Sequence, residues 1–247
     1  MAKSIIITGS SRGIGAATAR LAGRQGYAVC INYRTEKAQA EGVAHDIEAS
    51  GSKAIVVQGD MAVEDDIVRL YETCDREFGA LDGLVNNAGI TGRTCRVDEI
   101  DADTLSAVMA LNVTGSFLCA REAVRRMSTR HGGRGGAIVN LSSRASELGV
   151  PGAWVHYATS KGAIDTFTIG LAKEVAGEGI RVNAVNPGLI DTEIHLAASG
   201  NRLQELGPSV PMGRIGTADE VAEAIMWLMS DGASYIVGAR LPIGGGR

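Results

Sequence analysis

Short apolar runs alternate with longer amphipathic segments along almost the whole chain. The apolar runs have the length of buried strands and cover residues 3–9, 27–33, 53–60, 81–89, 136–143 and 180–188. The segments between them have apolar residues at helical spacing, which predicts helices over residues 16–26, 36–51, 63–79, 98–128 and 153–178. The pattern ends with a helix over 217–230 and a short strand over 235–241. Strands that alternate with helices indicate β-α-β units and a parallel sheet.

The length and the apolar composition narrow the fold class further. A chain of 247 residues suits one compact α/β domain over residues 1–247. Aromatic residues make up only 4% of the chain, so the core must consist of Ala, Val, Ile and Leu, as in a parallel sheet covered on both faces. We therefore expect a single doubly wound, Rossmann-like domain with seven parallel strands and helices on both faces of the sheet.

Charge and cysteine usage exclude several classes of protein. A net charge of −4 gives no reason to expect nucleic acid or an anionic membrane as a partner. Cys30, Cys74, Cys95 and Cys119 are scattered, without a C-x-x-C motif or histidines at metal spacing, so we expect no metal site. The first strand begins too early to leave room for a signal peptide, and no apolar run approaches the length of a membrane span. These features favour a cytoplasmic protein in a reducing compartment.

A glycine-rich turn follows the first predicted strand. It reads TGSSRGIG and contains Gly9, Gly13 and Gly15. Glycines at such a turn let the backbone approach a pyrophosphate, and the N-terminus of the next helix offers unpaired N–H groups. Tight turns also use glycine for geometry alone. The strand-turn-helix context is what favours a dinucleotide site here.

Tyr157 and Lys161 lie four residues apart within a predicted helix, in the stretch YATSK. Residues at this spacing lie on one face of a helix, so the phenol and the ammonium point the same way. A nearby ammonium favours the phenolate and therefore lowers the pKa of a tyrosine. The pair can serve as a general base, although a surface Tyr and a surface Lys also occur at this spacing without any chemistry.

Several motifs in a fixed order make the chain similar to a known family. They are the G-x-x-x-G-x-G turn, NNAG at 86–89, Asn112, NLSS at 140–143, YATSK at 157–161 and NPG at 186–188. Together they resemble the short-chain dehydrogenase/reductase family, from Ser4 to about Gly246. The family's fold is the Rossmann-like one expected above.

The resemblance implies a reaction and a role for each matched residue. Tyr157 would be the general acid/base, and Lys161 would lower the Tyr157 pKa and hold the nicotinamide ribose. Ser143 would hydrogen-bond the substrate oxygen, and Asn112 would hold a water that links Lys161 to solvent. Carbonyl reduction needs a hydride from a cofactor and a proton for the developing alkoxide, which a tyrosine can supply.

Two of these assignments stay open at this point. Ser143 is fourteen residues before Tyr157, a long separation for the family, and Ser142 is an adjacent polar alternative. Strand alternation places only one of the two serines toward the site, and we favour Ser143. Asn112 could instead be a helix-interior asparagine that bonds to the backbone where the helix bends.

The end of the second strand bears on the choice of cofactor. A NAD site places an acidic side chain there, on the adenosine ribose. This chain has Tyr33 and Arg34 instead, and Arg12 lies in the glycine turn. Arginine suits a phosphate through its planar fork, so we expect NADP(H). Two ordinary solvated arginines are the alternative.

The family pattern also implies the remaining cofactor contacts. Asp60 would accept a hydrogen bond from the adenine amino group, and Ile190 and Thr192 would contact the nicotinamide. The full set of expected cofactor-binding residues is Gly9, Ser11, Arg12, Gly13, Ile14, Gly15, Tyr33, Arg34, Asp60, Met61, Asn87, Ala88, Gly89, Tyr157, Lys161, Pro187, Gly188, Ile190 and Thr192.

The sequence leaves the substrate open. Residues 189–213 correspond to the family's variable substrate lid. The stretch VHYATSKGA leans toward glucose-dehydrogenase-like members over 3-oxoacyl-carrier-protein reductases. A run of arginines at the end of one predicted helix is a solvated helix end or a docking surface for an acidic carrier protein: Arg121, Arg125, Arg126, Arg130 and Arg134.

We therefore expect an NADP(H)-dependent oxidoreductase for a small carbonyl or alcohol substrate. A non-catalytic NADP(H)-sensing protein on the same fold is the rival hypothesis, and it would not need Ser143, Tyr157 and Lys161 together. The helices within 104–128 and 153–178 are apolar on more than one face, and the C-terminal stretch is apolar as well. With the family resemblance, these surfaces predict a homotetramer.

Overall fold

The computed structural model describes residues 2–192 and 206–247 and contains one seven-stranded parallel sheet. The central part of the predicted substrate lid, residues 193–205, lies outside the described residues. The strands are β1 (Ser4–Ile7), β2 (Ala28–Tyr33), β3 (Ala54–Gln58), β4 (Gly83–Asn86), β5 (Gly136–Leu141), β6 (Ile180–Pro187) and β7 (Arg240–Ile243).

The strand order is β3-β2-β1-β4-β5-β6-β7, and every neighbouring pair is parallel. The order reverses direction between β1 and β4. In doubly wound sheets a ligand crevice opens at this point, outside the carboxyl ends of the strands. The predicted fold class is confirmed, and the topology places the glycine turn after β1 beside the NNAG motif after β4.

The helices alternate with the strands as the sequence predicts. They are α1 (Gly13–Arg24), α2 (Lys37–Ala49), α3 (Glu64–Phe78), α4 (Ala102–Met109), α5 (Ser116–Met127), α6 (Ala145–Leu148), α7 (Val155–Val175) and α8 (Ala218–Met229). The short helix α6 has no counterpart in the predicted pattern, because four residues cannot show a helical period.

Apolar side chains from alternate positions of each strand divide the core into two layers. On β1, Ile5 and Ile7 pack into the layer that includes α1, α2 and α8, whereas Ile6 packs into the layer that includes α3, α5 and α7. All three isoleucines are fully buried. Because both faces of the strand are covered, the strand is a continuous apolar run without alternation.

The last strand differs from its prediction over residues 235–241. It runs from Arg240 to Ile243, where Arg240 pairs with Ala184 of β6. The side chain of Asn183 holds the preceding segment as a loop, since Asn183 Nδ2 donates to the Ile236 carbonyl at 2.8 Å and Asn183 Oδ1 accepts from Ala239 N at 2.9 Å. The limits of this strand therefore depend on a buried side chain of its neighbour.

A π-helical turn over Ala110–Gly115 joins α4 and α5 into one continuous helix, Ala102–Met127. The joined helix has 26 residues and a mean hydropathy of 1.2 over its most apolar window, so by length and composition alone it could cross a membrane. The sequence prediction found no run of that length. One side of the helix packs in the core through residues such as Cys119 and Ala123, and Leu105 and Phe117 are exposed.

A buried chain of polar side chains links two central strands to α7. Asn86 Nδ2 donates to Asn140 Oδ1 at 3.0 Å, and Asn140 Nδ2 donates to Thr168 Oγ1 at 2.9 Å. Asn86 Nδ2 also donates to the Ser116 carbonyl at the start of α5. Asn86 therefore ties β4 to β5 and to the start of α5. These hydrogen bonds connect the carboxyl ends of β4 and β5 to α7, the helix that carries Tyr157.

We predict that Asn140→Ala lowers the free energy of unfolding by about 1–3 kcal/mol, because the buried amide of Asn86 and the hydroxyl of Thr168 each lose a partner. Urea denaturation measures the change. In a double-mutant cycle with Thr168→Val, the two substitutions should not be additive, since they break the same contact. A loss below about 0.5 kcal/mol would place this site among ordinary surface positions and contradict the prediction.

Candidate active site

A cleft of about 530 Å³ opens at the carboxyl ends of the strands, over the crossover between β1 and β4. All the predicted catalytic and cofactor-binding residues line this cleft except Gly15 and Asn112. It also includes Ser142, the alternative to Ser143, and residues that the sequence analysis did not name, which are Asn32, Thr35, Glu36, Gly59, Ile90, Thr91, Gly92, Leu111 and Leu141.

The glycine turn forms one wall of the cleft and leads into α1. Gly9 and Gly13 have positive φ angles of 61° and 55°, a conformation that L side chains rarely adopt. A Cβ atom on Gly15 would lie 2.5 Å from Asn87 Nδ2 and 2.7 Å from the Gly9 carbonyl oxygen, so this position has no room for a side chain. The first amide N–H groups of α1 lack intrahelical partners and provide an anion site at this wall.

The segment after β4 is held against Thr8 and the glycine turn by four hydrogen bonds, one of which runs from Asn87 N to Thr8 Oγ1 at 3.0 Å. Asn87 Nδ2 donates to the carbonyl oxygens of Thr8 at 2.8 Å and Gly9 at 2.9 Å, and Ala88 N donates to Thr8 Oγ1 at 3.0 Å. A Cβ atom on Gly9 would lie 3.1 Å from Ala88 Cα. The two segments are therefore packed backbone to backbone, which leaves the cleft open above them.

The far end of the cleft carries the residues expected to select the cofactor. Arg34 is mostly exposed, and its guanidinium lies 3.7 Å from the Asp60 carboxylate. Asp60 Oδ1 accepts from Ala62 N at 2.9 Å. Arg12, Arg34, Tyr33 and Glu36 all line this end. The position directly after β2 thus carries a cation rather than the ribose-binding acid of a NAD site.

One buried residue that the sequence analysis missed organises this end. Asn32 Oδ1 accepts from Gly9 N at 3.0 Å, and Asn32 Nδ2 donates to the Gly59 carbonyl at 3.0 Å. Asn32 therefore connects β2 with the turns after β1 and β3. A polar residue inside an otherwise apolar strand is the signal that could have identified it, because buried polar groups need partners.

The two candidate serines point in different directions. Ser142 is buried, and its hydroxyl donates to the Lys161 carbonyl of α7 at 3.0 Å. Ser143 is partly buried, lines the cleft and lies against the Tyr157 hydroxyl. Its oxygen accepts from Ala145 N at 3.1 Å. Ser142 is thus engaged with the helix backbone, and the side chain next to Tyr157 is that of Ser143.

Tyr157 and Lys161 lie on one face of α7 inside the cleft. The Lys161 ammonium is 5.6 Å from the centre of the Tyr157 ring and donates to the Leu141 carbonyl at 2.6 Å. Burial raises the pKa of Tyr157 above its ordinary value, while the hydrogen bond with Ser143 lowers it. Burial lowers the pKa of Lys161 to about 8, against an attraction to Asp165 that raises it.

These pKa values differ from the expectation that Lys161 lowers the pKa of Tyr157. In this arrangement desolvation of the phenol exceeds every favourable contact, and the ammonium is directed at a backbone carbonyl. At neutral pH the tyrosine is therefore protonated and the lysine is mostly charged. A protonated tyrosine next to a serine hydroxyl can donate a proton and a hydrogen bond to one oxygen atom.

Asn112 occupies the π turn between α4 and α5, and its side chain faces the loop after β4. Asn112 Nδ2 donates to the Ile90 carbonyl at 2.9 Å and to Ser160 Oγ at 3.0 Å, and Asn112 Oδ1 accepts from Ile90 N at 2.9 Å. Two of these contacts are with the backbone of Ile90, and Asn112 lies where the helix departs from α geometry. This is the alternative role that the sequence offered for Asn112. A Cβ atom on Gly89 would be 3.1 Å from Asn112 Oδ1 and 3.6 Å from Lys161 Nζ, so both groups border the same small space.

The basic run at the end of α5 is neutralised by acidic partners. Each of the five arginines has a carboxylate within ion-pair distance. The pairs are Arg121 with Glu64, Arg125 with Glu122, Arg126 with Asp75, Arg130 with Glu178, and Arg134 with Asp82. These ion pairs reduce the net positive charge that the run presents at the surface.

Known proteins share both this fold and this sequence over nearly their whole length. The family model described as "Enoyl-(Acyl carrier protein) reductase" matches residues 9–247. The chain is 49% identical to "Uncharacterized oxidoreductase YgfF" of Escherichia coli (strain K12), over 98% of each protein. It is 38% identical to "Glucose 1-dehydrogenase 2" of Bacillus subtilis (strain 168), over 99% of this chain and 94% of the relative.

A carrier-protein enzyme and a solved structure are also similar to this chain over nearly their whole length. The chain is 37% identical to "3-oxoacyl-[acyl-carrier-protein] reductase FabG" of Staphylococcus aureus, over 100% of this chain and 98% of the relative. A short chain dehydrogenase from Burkholderia cenocepacia J2315, solved in complex with NADP, superposes with a TM-score of 0.92 at 33% identity and covers 99% and 97% of the two chains. Since the similarity extends over both the sequence and the fold, the chain belongs to the short-chain dehydrogenase/reductase family of oxidoreductases.

Proposed function

We propose that this chain is an NADP(H)-dependent oxidoreductase that transfers hydride between the nicotinamide and a carbonyl or alcohol substrate. The observation that carries the proposal is the convergence of Ser143, Tyr157 and Lys161 at one end of the cleft that the glycine turn lines. The cleft fits a dinucleotide, because the α1 N-terminus and the side-chain-free wall at Gly15 leave the backbone accessible to a pyrophosphate.

The positions of the residues support the following chemistry. When bound, the cofactor would supply a hydride to the carbonyl carbon. The Tyr157 hydroxyl would donate its proton to the carbonyl oxygen as negative charge develops there, and Ser143 would donate a hydrogen bond to the same oxygen. Lys161 would hold the nicotinamide ribose hydroxyls, as the family resemblance implies. In the reverse direction Tyr157 accepts the alcohol proton, so the two directions need opposite protonation states of the phenol.

The family relationship and the arginines at the cleft support NADP(H) over NAD(H). Arg34 stands directly after β2, and Arg12 lies across the cleft end in the glycine turn. A cationic fork at this place suits a 2′-phosphate, whereas an acid would repel it. The related Burkholderia protein was solved with NADP, which agrees with this assignment. Glu36 also lines this end, so Arg34 must contribute enough attraction to offset it.

The ion pairs of the arginine run bear on the substrate class. Relatives named for a sugar and for an acyl-carrier-protein substrate are equally similar to the chain. The neutralised arginine run favours a small-molecule substrate over one that is delivered by an acidic carrier protein. We expect a screen of aldehydes, ketones, sugars and ketoacyl thioesters with NADPH to find turnover with a free small molecule. Turnover restricted to carrier-bound thioesters would favour the second class.

The cysteines and the exposed apolar residues bear on compartment and assembly. All four cysteines are free and buried, which fits a reducing compartment such as the cytoplasm. Phe117 of α5 is half exposed and stacks on Phe167 of α7 at 3.8 Å between ring centres, so the two helices share one apolar surface. Tyr235 and Val237 are exposed near the C-terminus. We infer a homotetramer in which these surfaces contact partner copies.

We predict that Tyr157→Phe reduces kcat/KM with NADPH at least about a hundredfold, because the ring stays and the proton donor is lost. Fluorescence titration should show that NADPH still binds. The matched control is Tyr27→Phe, since Tyr27 lies between α1 and β2, does not line the cleft and is outside the proposed partner surfaces. Tyr157→Phe activity within a few-fold of the parent would exclude Tyr157 as the acid, and absence of turnover in the parent would favour the NADP(H)-sensing alternative.

We predict that Arg34→Glu lowers the kcat/KM ratio for NADPH over NADH by at least about tenfold, through loss of one charge-assisted contact and repulsion of the 2′-phosphate. Steady-state kinetics with both cofactors measure the ratio. Arg20→Glu is the control, because Arg20 is a surface arginine of α1 that pairs with Asp46 outside the cleft. A parent enzyme that uses both cofactors equally well would disprove the role of Arg12 and Arg34.

We predict that the parent has about four times the 25.6 kDa chain mass in solution, and that Phe117→Glu shifts it to smaller species by placing a charge in an apolar contact. Light scattering at micromolar concentration measures both masses. Val97→Glu is the control, because Val97 is even more exposed but lies on a separate 3₁₀ turn. A parent mass near that of one chain would disprove the assembly and leave the active-site proposal intact.

A further inference from the structure

Helix α7 carries a third chemically active side chain in line with Tyr157 and Lys161. Asp165 lies four residues after Lys161 and eight after Tyr157, so the three side chains follow one face of the helix. The proposed mechanism uses the phenol and the ammonium but gives no role to the carboxylate. Asp165 is only 4% exposed. Burying a carboxylate costs free energy, so its neighbours must compensate for the loss of water.

The contacts of Asp165 lead to the turn that holds Ser143. Asn186 Nδ2, at the end of β6, lies 3.0 Å from Asp165 Oδ1 and 3.3 Å from Asp165 Oδ2. The same nitrogen is 3.4 Å from the Ser143 carbonyl oxygen, and Asn186 is 1% exposed. Arg240 of β7, which is partly exposed, has its guanidinium 3.9 Å from Asp165 Oδ2. The carboxylate therefore lies between the helix of Lys161 and the turn of Ser143.

The charged and titratable groups around Lys161 are few in the described part of the chain. Its own helix contributes Tyr157 and Asp165, and β7 contributes Arg240 beside Asp165. The facing elements β5, β6 and the π turn contribute uncharged groups, namely the Leu141 carbonyl, Ser142, Asn186 and Asn112. Burial alone disfavours the ammonium, and the Asp165 carboxylate opposes that effect.

We propose that Asp165 is a positioning residue that keeps the Lys161 side chain charged in the cleft and anchors the Ser143 turn through Asn186. The inference rests on the proposed function for its kinetic consequences. The carboxylate acts on the ammonium across one turn of α7, without touching substrate or cofactor. Arg240 lies beside Asp165 and is partly exposed, and its positive charge weakens the attraction between the Asp165 carboxylate and the Lys161 ammonium.

The sign of the expected pH effect is the same for both partners. Removing a negative charge disfavours protonated groups nearby, so the pKa values of Lys161 and Tyr157 both fall. Reduction needs Tyr157 and Lys161 protonated, and loss of either proton ends activity at high pH. In oxidation, the alkaline limit is set by Lys161. The alkaline limb of kcat/KM therefore moves to lower pH in either direction.

Asp165→Asn is the test variant, because it keeps the shape and the acceptor for Asn186 and removes only the charge. We expect the alkaline limb of kcat/KM with NADPH to fall by about one pH unit, the low end of the range for a neighbouring charge. The melting temperature should change little. Asp165→Glu, which restores a carboxylate, should return the limb toward the parent value.

Arg240→Glu is a second test variant, at a partly exposed residue. It should shift the alkaline limb of kcat/KM to higher pH, opposite to Asp165→Asn. It replaces a partly exposed cation next to Asp165 with an anion, which favours the Lys161 ammonium. Arg240→Gln should give a smaller upward shift. This pair keeps the proposal testable if Asp165→Asn does not fold. Arg20→Glu serves again as the remote control, with no shift.

A substrate-free measurement separates this inference from the proposed function. NADPH binding, followed by fluorescence from pH 6 to pH 10, should weaken at a lower pH in Asp165→Asn than in the parent. Alkaline limbs and binding midpoints that coincide with the parent in Asp165→Asn and Arg240→Glu would overturn the role of Asp165. A parent without turnover on any carbonyl would overturn the proposed function, and the binding series would still decide the role of Asp165.

Discussion

The architecture of the site depends on side-chain amides that fix the carboxyl ends of neighbouring strands against each other. Asn87 is bonded to Thr8 and Gly9, which directly follow β1, and Asn86 is bonded to Asn140 near the end of β5. The backbone hydrogen bonds of parallel strands are slanted, so the side-chain bonds help to fix the positions of the turns that follow these strands. One cleft is then lined by the glycine turn, the NNAG segment and the Ser143 turn.

The electrostatics of the cleft follow from burial more than from pairing. Tyr157 and Lys161 are both removed from water, and burial moves their pKa values apart. The pKa of the Tyr157 phenol is raised, whereas the pKa of the Lys161 ammonium is lowered to about 8. As the pH rises, Lys161 therefore loses its proton before Tyr157 does, and a change in local charge moves the alkaline limit of the site first through the lysine.

Much of the fold and site could be predicted from the sequence, because local spacing encodes it. The strand-turn-helix at Gly9 to Gly15 and the four-residue step from Tyr157 to Lys161 hold under any backbone that forms those elements. The limits of β7 and the π turn at Asn112 could not be predicted, since a buried partner strand and a packed loop determine them. The raised pKa of Tyr157 could not be predicted, because the sequence shows which charges are near but not how much water is excluded. The burial of Asp165 could not be predicted for the same reason.

The π turn within the 26-residue helix has a mechanical consequence. Asn112 lies in the turn, and the exposed ring of Phe117 follows it five residues later on the same rod. The turn is bonded to the loop after β4 on one side and to α7 through Ser160 on the other. The outer face of this helix is therefore connected by hydrogen bonds to the helix that carries Tyr157 and Lys161.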